Sequence, residues 1–324
     1  MATLHPAWSD RVLTIAMLKG GYLSYQLTDG ETTLFNGKAH VIPGTKFAKI
    51  PFGSIVRDFV SAKINLILED SVQDEVTYSR VITVKSGGAT IAEYLVYNDY
   101  SYENVEMSIS KPLILSRPLS NVVDPRQYLF CTVANLKGEA SAVAIKQGAK
   151  VYASANVVNC CTFTIPLSAE ELLGKRMTTS GVYKTMIYEV RETNADYCLY
   201  YLNAYGGYDH LLIRGNSLMS ESYTRTEVRK NELNTTLKHN RDIIATDISR
   251  KWQLHTDYLS DEQWALTHHL LGSPHIFLHD LNTGKVTPVI ITAHQADWKT
   301  YRNQGNRKSN LTIEVEEART RMRK

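Results

Sequence analysis

The chain has 324 residues, 43% of them hydrophobic and 21% charged. That length supports two or three domains with cores of their own, and that composition excludes wholesale disorder. A formal charge of +3, from 36 basic and 33 acidic residues, is lower than a dedicated nucleic-acid binder usually carries.

Strand signals dominate from the start. Tyr22–Thr28 alternates Leu23, Tyr25 and Leu27 with Ser24, Gln26 and Thr28, a period of two that puts the apolar set on one face. Asp29-Gly30 supplies the positive-φ positions of a tight hairpin, and Thr32–Asn36 returns. Ile64–Leu68, Val76–Val84 and Ile91–Tyr97 read as strands, with Gly87-Gly88 turning between the last two. Tyr128–Val133, Val151–Val158 and Cys160–Leu167 continue the series. Val182–Val190 and Cys198–Leu202 are expected to pair with each other, and Leu211–Arg214 follows Gly206-Gly207. The one good helix is Asp261–Leu271: Ser260 caps it, Gln263 stands at N3, and Gly272 suits its end. Trp264, Thr267, His268 and Leu271 lie along one stripe, so Trp264 is expected to be buried. His275–His279, Val286–Thr292 and Leu311–Glu317 close the fold as strands.

Short strands at this spacing point to a mainly β fold of consecutive antiparallel β-sandwich or barrel-like domains with few short helices. Boundaries are expected at 1–115, 116–214, a polar arm or linker at 215–250, and a C-terminal α+β segment at 251–324. The arm is thin in apolar residues, with Ile243, Ile244 and Ile248 beside Leu218, Met219, Val228, Leu233 and Leu237. It cannot easily offset its own ordering cost, so it is expected to project from the C-terminal domain and be ordered by neighbouring subunits.

Each candidate chemistry meets a plainer reading. Cys131, Cys160, Cys161 and Cys198 form neither a Cys-x-x-Cys pair nor a disulfide framework, and read as buried thiols in a reducing compartment. His275 and His279 sit on a strand, where a spacing of four separates them by roughly 13 Å, so they read as surface or interface histidines and no metal is expected. Glu69-Asp70, Asp74-Glu75 and Glu314–Glu317 show no paired acid and base, and Glu314 and Glu316 read as the solvated face of a strand. Gly206-Gly207 lacks the spacing of a nucleotide-binding turn and reads as a bulge or turn. Residues 299–324 hold eight Lys/Arg against three Glu, which suits a solvated tail or one docking on an acidic neighbour. No apolar run reaches the roughly 18 residues of a membrane helix, and Val12–Leu18 is too short for a signal peptide. The 19 Tyr against 7 Phe suit half-buried strands and subunit interfaces. No catalytic residue, cofactor or metal is implied, and the chain is not expected to be an enzyme.

Several stretches together resemble virion structural proteins, of the tail or baseplate, encoded by tailed phages and prophages of Bacteroidetes. They are Arg117–Gln127 (RPLSNVVDPRQ), Tyr200–Asp209 (YYLNAYGGYD) with Leu211–Gly215, Trp252–Thr256, Leu259–Gln263, His275–Asp280 with Pro288–Thr292, and Leu311–Ala318. Phe35–Lys38, Pro43-Gly44 and Ile55–Asp58 fit the same group. The resemblance spans most of the chain and implies a subunit of a distal-tail or baseplate ring. That subunit would assemble as a homo-oligomer with other tail proteins, in the virion, after synthesis in a host cytoplasm. It implies no membrane and no specific nucleic acid. The alternatives are a carbohydrate-binding β-sandwich module of a tail-tip adhesin, or a capsid or neck protein.

Overall fold

The computed structural model describes residues 3–6, 12–16, 21–61, 71–73, 79–97, 111–135, 139–158, 160–167, 172–203, 207–229, 241–296, 310–318 and 321–323. The chain divides into two compact units, Met1–Glu192 with Leu202–His210, and Thr193–Tyr201 with Leu211–Lys324. The first holds two separate hydrophobic clusters, one of residues between Leu13 and Val96 and one of residues between Ile114 and Val190.

The N-terminal elements are β1 (Thr3–Pro6), β2 (Leu13–Ala16), β3 (Tyr22–Asp29), β4 (Thr32–His40), β5 (Phe47–Ile50), α1 (Phe52–Ser61), β6 (Ser71–Gln73), β7 (Ser79–Ser86) and β8 (Ala89–Tyr97). Five of them form a sheet in the order β1-β8-β7-β3-β4, and β2 pairs with β5. The alternation of β3 is realised from Ser24 to Leu27, with Tyr25 and Leu27 buried and Ser24 and Gln26 exposed, but Thr28, expected on the polar face, is buried at the bulge that follows Leu27. Gly37 lies opposite Tyr25, and a Cβ there would come within 2.5 Å of the Tyr25 ring, so glycine lets the aromatic lie across the neighbouring strand. The helix α1 was not anticipated. Gly53 and the β-branched Ile55 and Val56 are poor helix formers, and its support is tertiary: Phe52 and Val56 are fully buried, and the Phe52 ring meets Tyr94 at 4.8 Å. Ile64–Leu68 lies outside the described residues.

The middle elements are β9 (Leu113–Ile114), β10 (Val122–Val123), β11 (Tyr128–Ala134), β12 (Ser141–Gln147), β13 (Lys150–Val157), β14 (Cys160–Pro166), β15 (Arg176–Ser180) and β16 (Ile187–Val190). They make a two-layer sandwich, one sheet in the order β6-β14-β11-β9 and the other β10-β16-β15-β12-β13. Cys131, Val133, Phe163 and Ile165 of the first layer share one core with Val143, Ile145, Met177 and Tyr188 of the second. Both layers thereby hide their apolar faces, as aligned sheets must.

The remaining elements are β17 (Tyr197–Leu202), β18 (Tyr208–Ile213), β19 (Ser217–Arg229), β20 (Arg241–His255), α2 (Asp261–Leu271), β21 (Ile276–Asp280), β22 (Lys285–Ala296), β23 (Leu311–Glu317) and β24 (Arg321–Arg323). Their sheet runs β18-β17-β21-β22-β23-β20-β19, with β24 also paired to β20. The expected pairing of Val182–Val190 with Cys198–Leu202 is corrected. Strand β16 pairs with β15 and β10, whereas β17 pairs with β21. Burial explains the choice. Residues Cys198–Leu202 are buried without interruption, which calls for an interior position in a sheet covered on both faces. Strand β16 alternates exposed and buried residues.

Helix α2 carries the expected cap: Gln263 N–H donates to Ser260 Oγ at 3.2 Å, and Ser260 N–H donates to Gln263 Oε1 at 2.9 Å. Its inward face is not the expected one. Trp264 is only half-buried and His268 exposed, while Thr267, His269 and Leu270 are buried. Trp264, Leu266, Leu270 and Leu271 run round the helix, so the sequence offers more than one stripe, and packing selects the one through Thr267 and Leu270. Among the described residues no helix is long and apolar enough to cross a membrane.

Candidate interaction surface

Within the segment 215–250, expected as a polar arm or linker or else a long hairpin, the described residues form one long antiparallel strand pair. Strands β19 and β20 pair from Ser217↔Leu254 to Arg229↔Arg241, with a bulge at Thr226/Glu227. A 13-residue strand reaches about 44 Å. Strand β23 supports β20 only over Lys251–His255, and β24 over Thr246–Ile248. The basic tail is thus partly absorbed: Arg321–Arg323 forms a strand on its own chain's β20. Past Thr246 the ladder has two strands among the described residues, and β19 has no neighbour on its outer side.

Residues directly opposite in an antiparallel pair share a face. One face carries Met219, Glu221, Tyr223 and Arg225 against Trp252, Arg250, Ile248 and Thr246. It runs on from the buried Trp252 and Leu254, yet Met219 and Tyr223 are 51% and 55% exposed. Beyond the bulge Ile243 and Ile244 are equally open, at 52% and 56%. The second face alternates hydroxyls, Ser220, Ser222, Thr224 and Thr226, between exposed Leu218 and Val228. Ser222 and Ser249 hydroxyls meet across it at 2.9 Å. On the first face Arg250 donates to Glu221 Oε1 at 2.6 Å, and the Tyr223 hydroxyl donates to Oε2 at 2.7 Å. Single exposed apolar residues are ordinary, but a run of them along one slender element marks an interaction surface. The signal was present in the sequence as Ser/Thr at every second position of 220–226. A count of apolar residues does not carry it, because the pattern lies in their placement on faces.

At the hairpin's base lies a polar cleft of about 360 Å³, lined by Asn216, His255, Asp257, Tyr258 and Asn310 among others. Tyr258 is 60% exposed, and His255 Nδ1 lies 2.9 Å from Thr312 Oγ1.

The other residues weighed for chemistry resolve into structure. His279 is not a surface histidine: it is buried, with Nδ1 3.0 Å from the Tyr200 hydroxyl. His275 is half-buried, and burial lowers its pKa. Glu314 is exposed on β23 as expected, and Glu316 pairs with Lys251 at 3.3 Å. Glu69-Asp70 and Asp74-Glu75 lie outside the described residues. Cys131, Cys161 and Cys198 are free and buried, and burial pushes the Cys131 thiol up to about 12. Gly207 permits a close approach, since a Cβ would stand 2.8 Å from the Leu115 backbone.

Around Gly207 the first unit encloses a polar network that the sequence did not reveal. Asp209 Oδ1 accepts from the Arg117 backbone N–H at 2.7 Å and Oδ2 from the Asn203 amide at 2.7 Å. The same amide nitrogen reaches Leu115 O at 2.9 Å, and Asn203 Oδ1 accepts from Gly207 N–H at 2.9 Å. Ser116 Oγ donates to Tyr208 O and accepts from Thr132 N–H, both at 2.9 Å. Burial raises Asp209 to about 8 and lowers its neighbour His210 to about 4. All of these bonds but the one between the Asn203 and Asp209 side chains have a backbone partner, so the network holds the fold in place.

No protein-family model and no curated protein matches the chain. Among solved structures, it is similar to a chain of a native gene transfer agent virion particle, at 13% identity over 40% of this chain and 96% of that one, with a TM-score of 0.25. It is also similar to the fibronectin(III)-like modules of Clostridium thermocellum CbhA, at 11% identity over 59% and 89%, TM-score 0.19. The I9–I11 tandem of titin is similar at 6% identity over 99% and 93%, TM-score 0.19. At these scores the likenesses carry no functional argument.

Proposed function

We propose that the chain is a structural subunit of a phage virion, placed in the tail or baseplate, where it assembles through its β-domains and the β19–β20 hairpin. The observation that carries this is the hairpin itself. It extends past its supporting strands with Met219, Tyr223, Ile243 and Ile244 open to solvent. A two-stranded ribbon is marginal in water alone, and such side chains gain by burial in an assembly. The resemblance of Arg117–Gln127 and Tyr200–Asp209 to phage tail proteins supplies the setting. A ring built from this subunit would close by repeating one head-to-tail contact.

Limited proteolysis of free subunit and purified particle tests the reading. Trypsin sites at Arg225, Arg229, Lys230, Lys238 and Arg241 should be cut in the subunit diluted to monomer and protected in the particle. Absence of the chain from purified particles by mass spectrometry overturns it. A second reading follows from the cleft beside Tyr258, where an exposed aromatic among polar side chains suits a sugar. Binding of purified subunit to a glycan array, lost in Tyr258→Ala, would favour the adhesin alternative.

A further inference from the structure

We infer that the outer edge of β19 pairs antiparallel with β19 of a second copy of this chain, about a two-fold axis passing beside Tyr223. The inference rests on the reading above that the chain assembles with copies of itself, and it names where and in what register.

An unpaired edge strand is a ready template for another strand, because its outward N–H and C=O groups lack partners in the sheet. Among the described residues strand β19 is such an edge, and its residues from Leu218 to Val228 are exposed, with the Glu221 side chain the more covered of its ion pair at 26%. The side chains select the partner. With Tyr223 opposite Tyr223 of the second copy, Glu221 faces Arg225 and Arg225 faces Glu221. On the other face Leu218 meets Val228, Ser220 meets Thr226, and Ser222 meets Thr224. Charge meets charge at 221/225, apolar meets apolar at 218/228 and hydroxyl meets hydroxyl at 220/226 and 222/224, each a favourable cross-strand pair, while Met219 lies opposite Glu227 near the end of the ladder.

Neighbouring registers fail. Centring the pair on Thr224 sets Glu221 against Glu227. Centring it on Glu221 or Arg225 sets like charges directly opposite each other. With Ser222 on the axis, Glu221 meets Tyr223 and Arg225 meets Met219, so no opposite charges are paired. Among these registers, only the one centred on Tyr223 pairs opposite charges without setting like charges face to face. Arg225 has no ion-pair partner among the described residues. Glu221 already accepts from Arg250 and Tyr223, and a carboxylate with about four lone-pair sites accommodates a third donor.

A two-fold contact uses the same patch on both subunits and closes on itself. It therefore yields a dimer, or joins two rings back to back, and is distinct from the contact that propagates round a ring.

Sedimentation of the full-length protein across the micromolar range tests the pairing. Wild type should dimerise. Arg225→Glu and Glu221→Arg should each weaken the dimer by about tenfold or more, since the axis doubles every substitution. Mixing the two variants should restore dimers, because Glu then faces Arg at both positions. Tyr223→Cys should cross-link to itself under a mild oxidant, and Ser217→Cys should not, which reads the register independently of affinity. Wild type that stays monomeric overturns the inference, as does a dimer indifferent to both reversals, variants that do not rescue each other, or cross-linking at position 217 in preference to 223. If the subunit is in the particle but these results fail, the pairing is wrong and the virion reading stands. If the dimer forms but the chain is in no particle, the reverse holds.

Discussion

Raising the pH from 6.5 to 8 should weaken the first unit, and Asp209 is the reason. Its carboxyl is enclosed, and burial pushes its pKa from 3.8 up to about 8, against the pull of the Asn203 amide, the Arg117 N–H and the Arg117 charge. Across that interval the folded chain holds a proton that the unfolded chain has released, so stability falls as pH rises. His210 acts in the opposite sense. Burial lowers it from 6.5 to about 4, opposed by hydrogen bonds with the Val122 and Ser120 backbone. Between those values the unfolded chain holds the extra proton, and stability rises with pH. His275, lowered by burial from 6.5, adds a contribution of the same sign and also below 6.5. The opposing slopes offset each other in the acid range, and Asp209 acts alone above it.

One proton changes stability by about 1.4 kcal/mol per pH unit, so the loss from pH 6.5 to 8 is about 2 kcal/mol. Urea unfolding followed by far-UV circular dichroism measures it, with Asp209→Asn as the comparison. The variant places an N–H against one of two donors and is itself less stable, by about 1–3 kcal/mol, so the slope with pH is the quantity to read. It should be flat above pH 6.5. A wild-type slope that is zero or positive there refutes the assignment, as does an Asp209→Asn variant that keeps the fall.

Phe163→Ala, at the fully buried centre of the sandwich, should cost about 3–5 kcal/mol. Trp264→Ala should cost less because that ring is half exposed, and chemical denaturation of the two variants ranks them. Gly181 has φ +80 and no room for a Cβ beside the Ala142 carbonyl, whereas Gly30 has φ +59 and open space. Gly181→Ala should therefore lower the melting temperature clearly more than Gly30→Ala, for which only about 1–2 kcal/mol of backbone strain applies.

Legibility followed the range of the forces. Strand β23 lies where the alternation of Leu311, Ile313 and Val315 put it, because one face of a strand is written in consecutive residues. The turns at Gly30 and at Gly87-Gly88 were likewise local, and all three glycines have positive φ. The cap of α2 could be read for the same reason. The buried side of α2 could not, since apolar residues ring it and the choice belongs to the surface it packs on. The partners of β16 and β17 were misjudged because proximity in sequence was taken for pairing. Uninterrupted burial at 198–202 outweighed it. Helix α1 has weak local signals and depends on Phe52 and Val56 finding a core built by strands on both sides of it in sequence.

The residues that carry the family resemblance and the residues that carry the proposed function are different sets, for a physical reason. Arg117–Gln127 and Tyr200–Asp209 are far apart in sequence, yet the network joins Arg117 to Asp209, with Ser116 on Tyr208 and Asn203 on Leu115 beside them. Within the first stretch, Asp124 accepts from the Arg126 guanidinium at 2.9 Å and from its backbone N–H at 3.0 Å. These are buried or part-buried polar groups whose removal would leave partners unsatisfied. Folding alone constrains them. The hairpin face of Met219, Tyr223, Ile243 and Ile244 lies outside every stretch that carries the resemblance. Its side chains are more than half exposed, with Tyr223 held by its hydroxyl on Glu221. A sequence reading anchored on motifs therefore reaches the scaffold first, whereas the exposed face of the β19–β20 pair is defined only by the ladder from Ser217 to Arg229, which sets its residues on two faces.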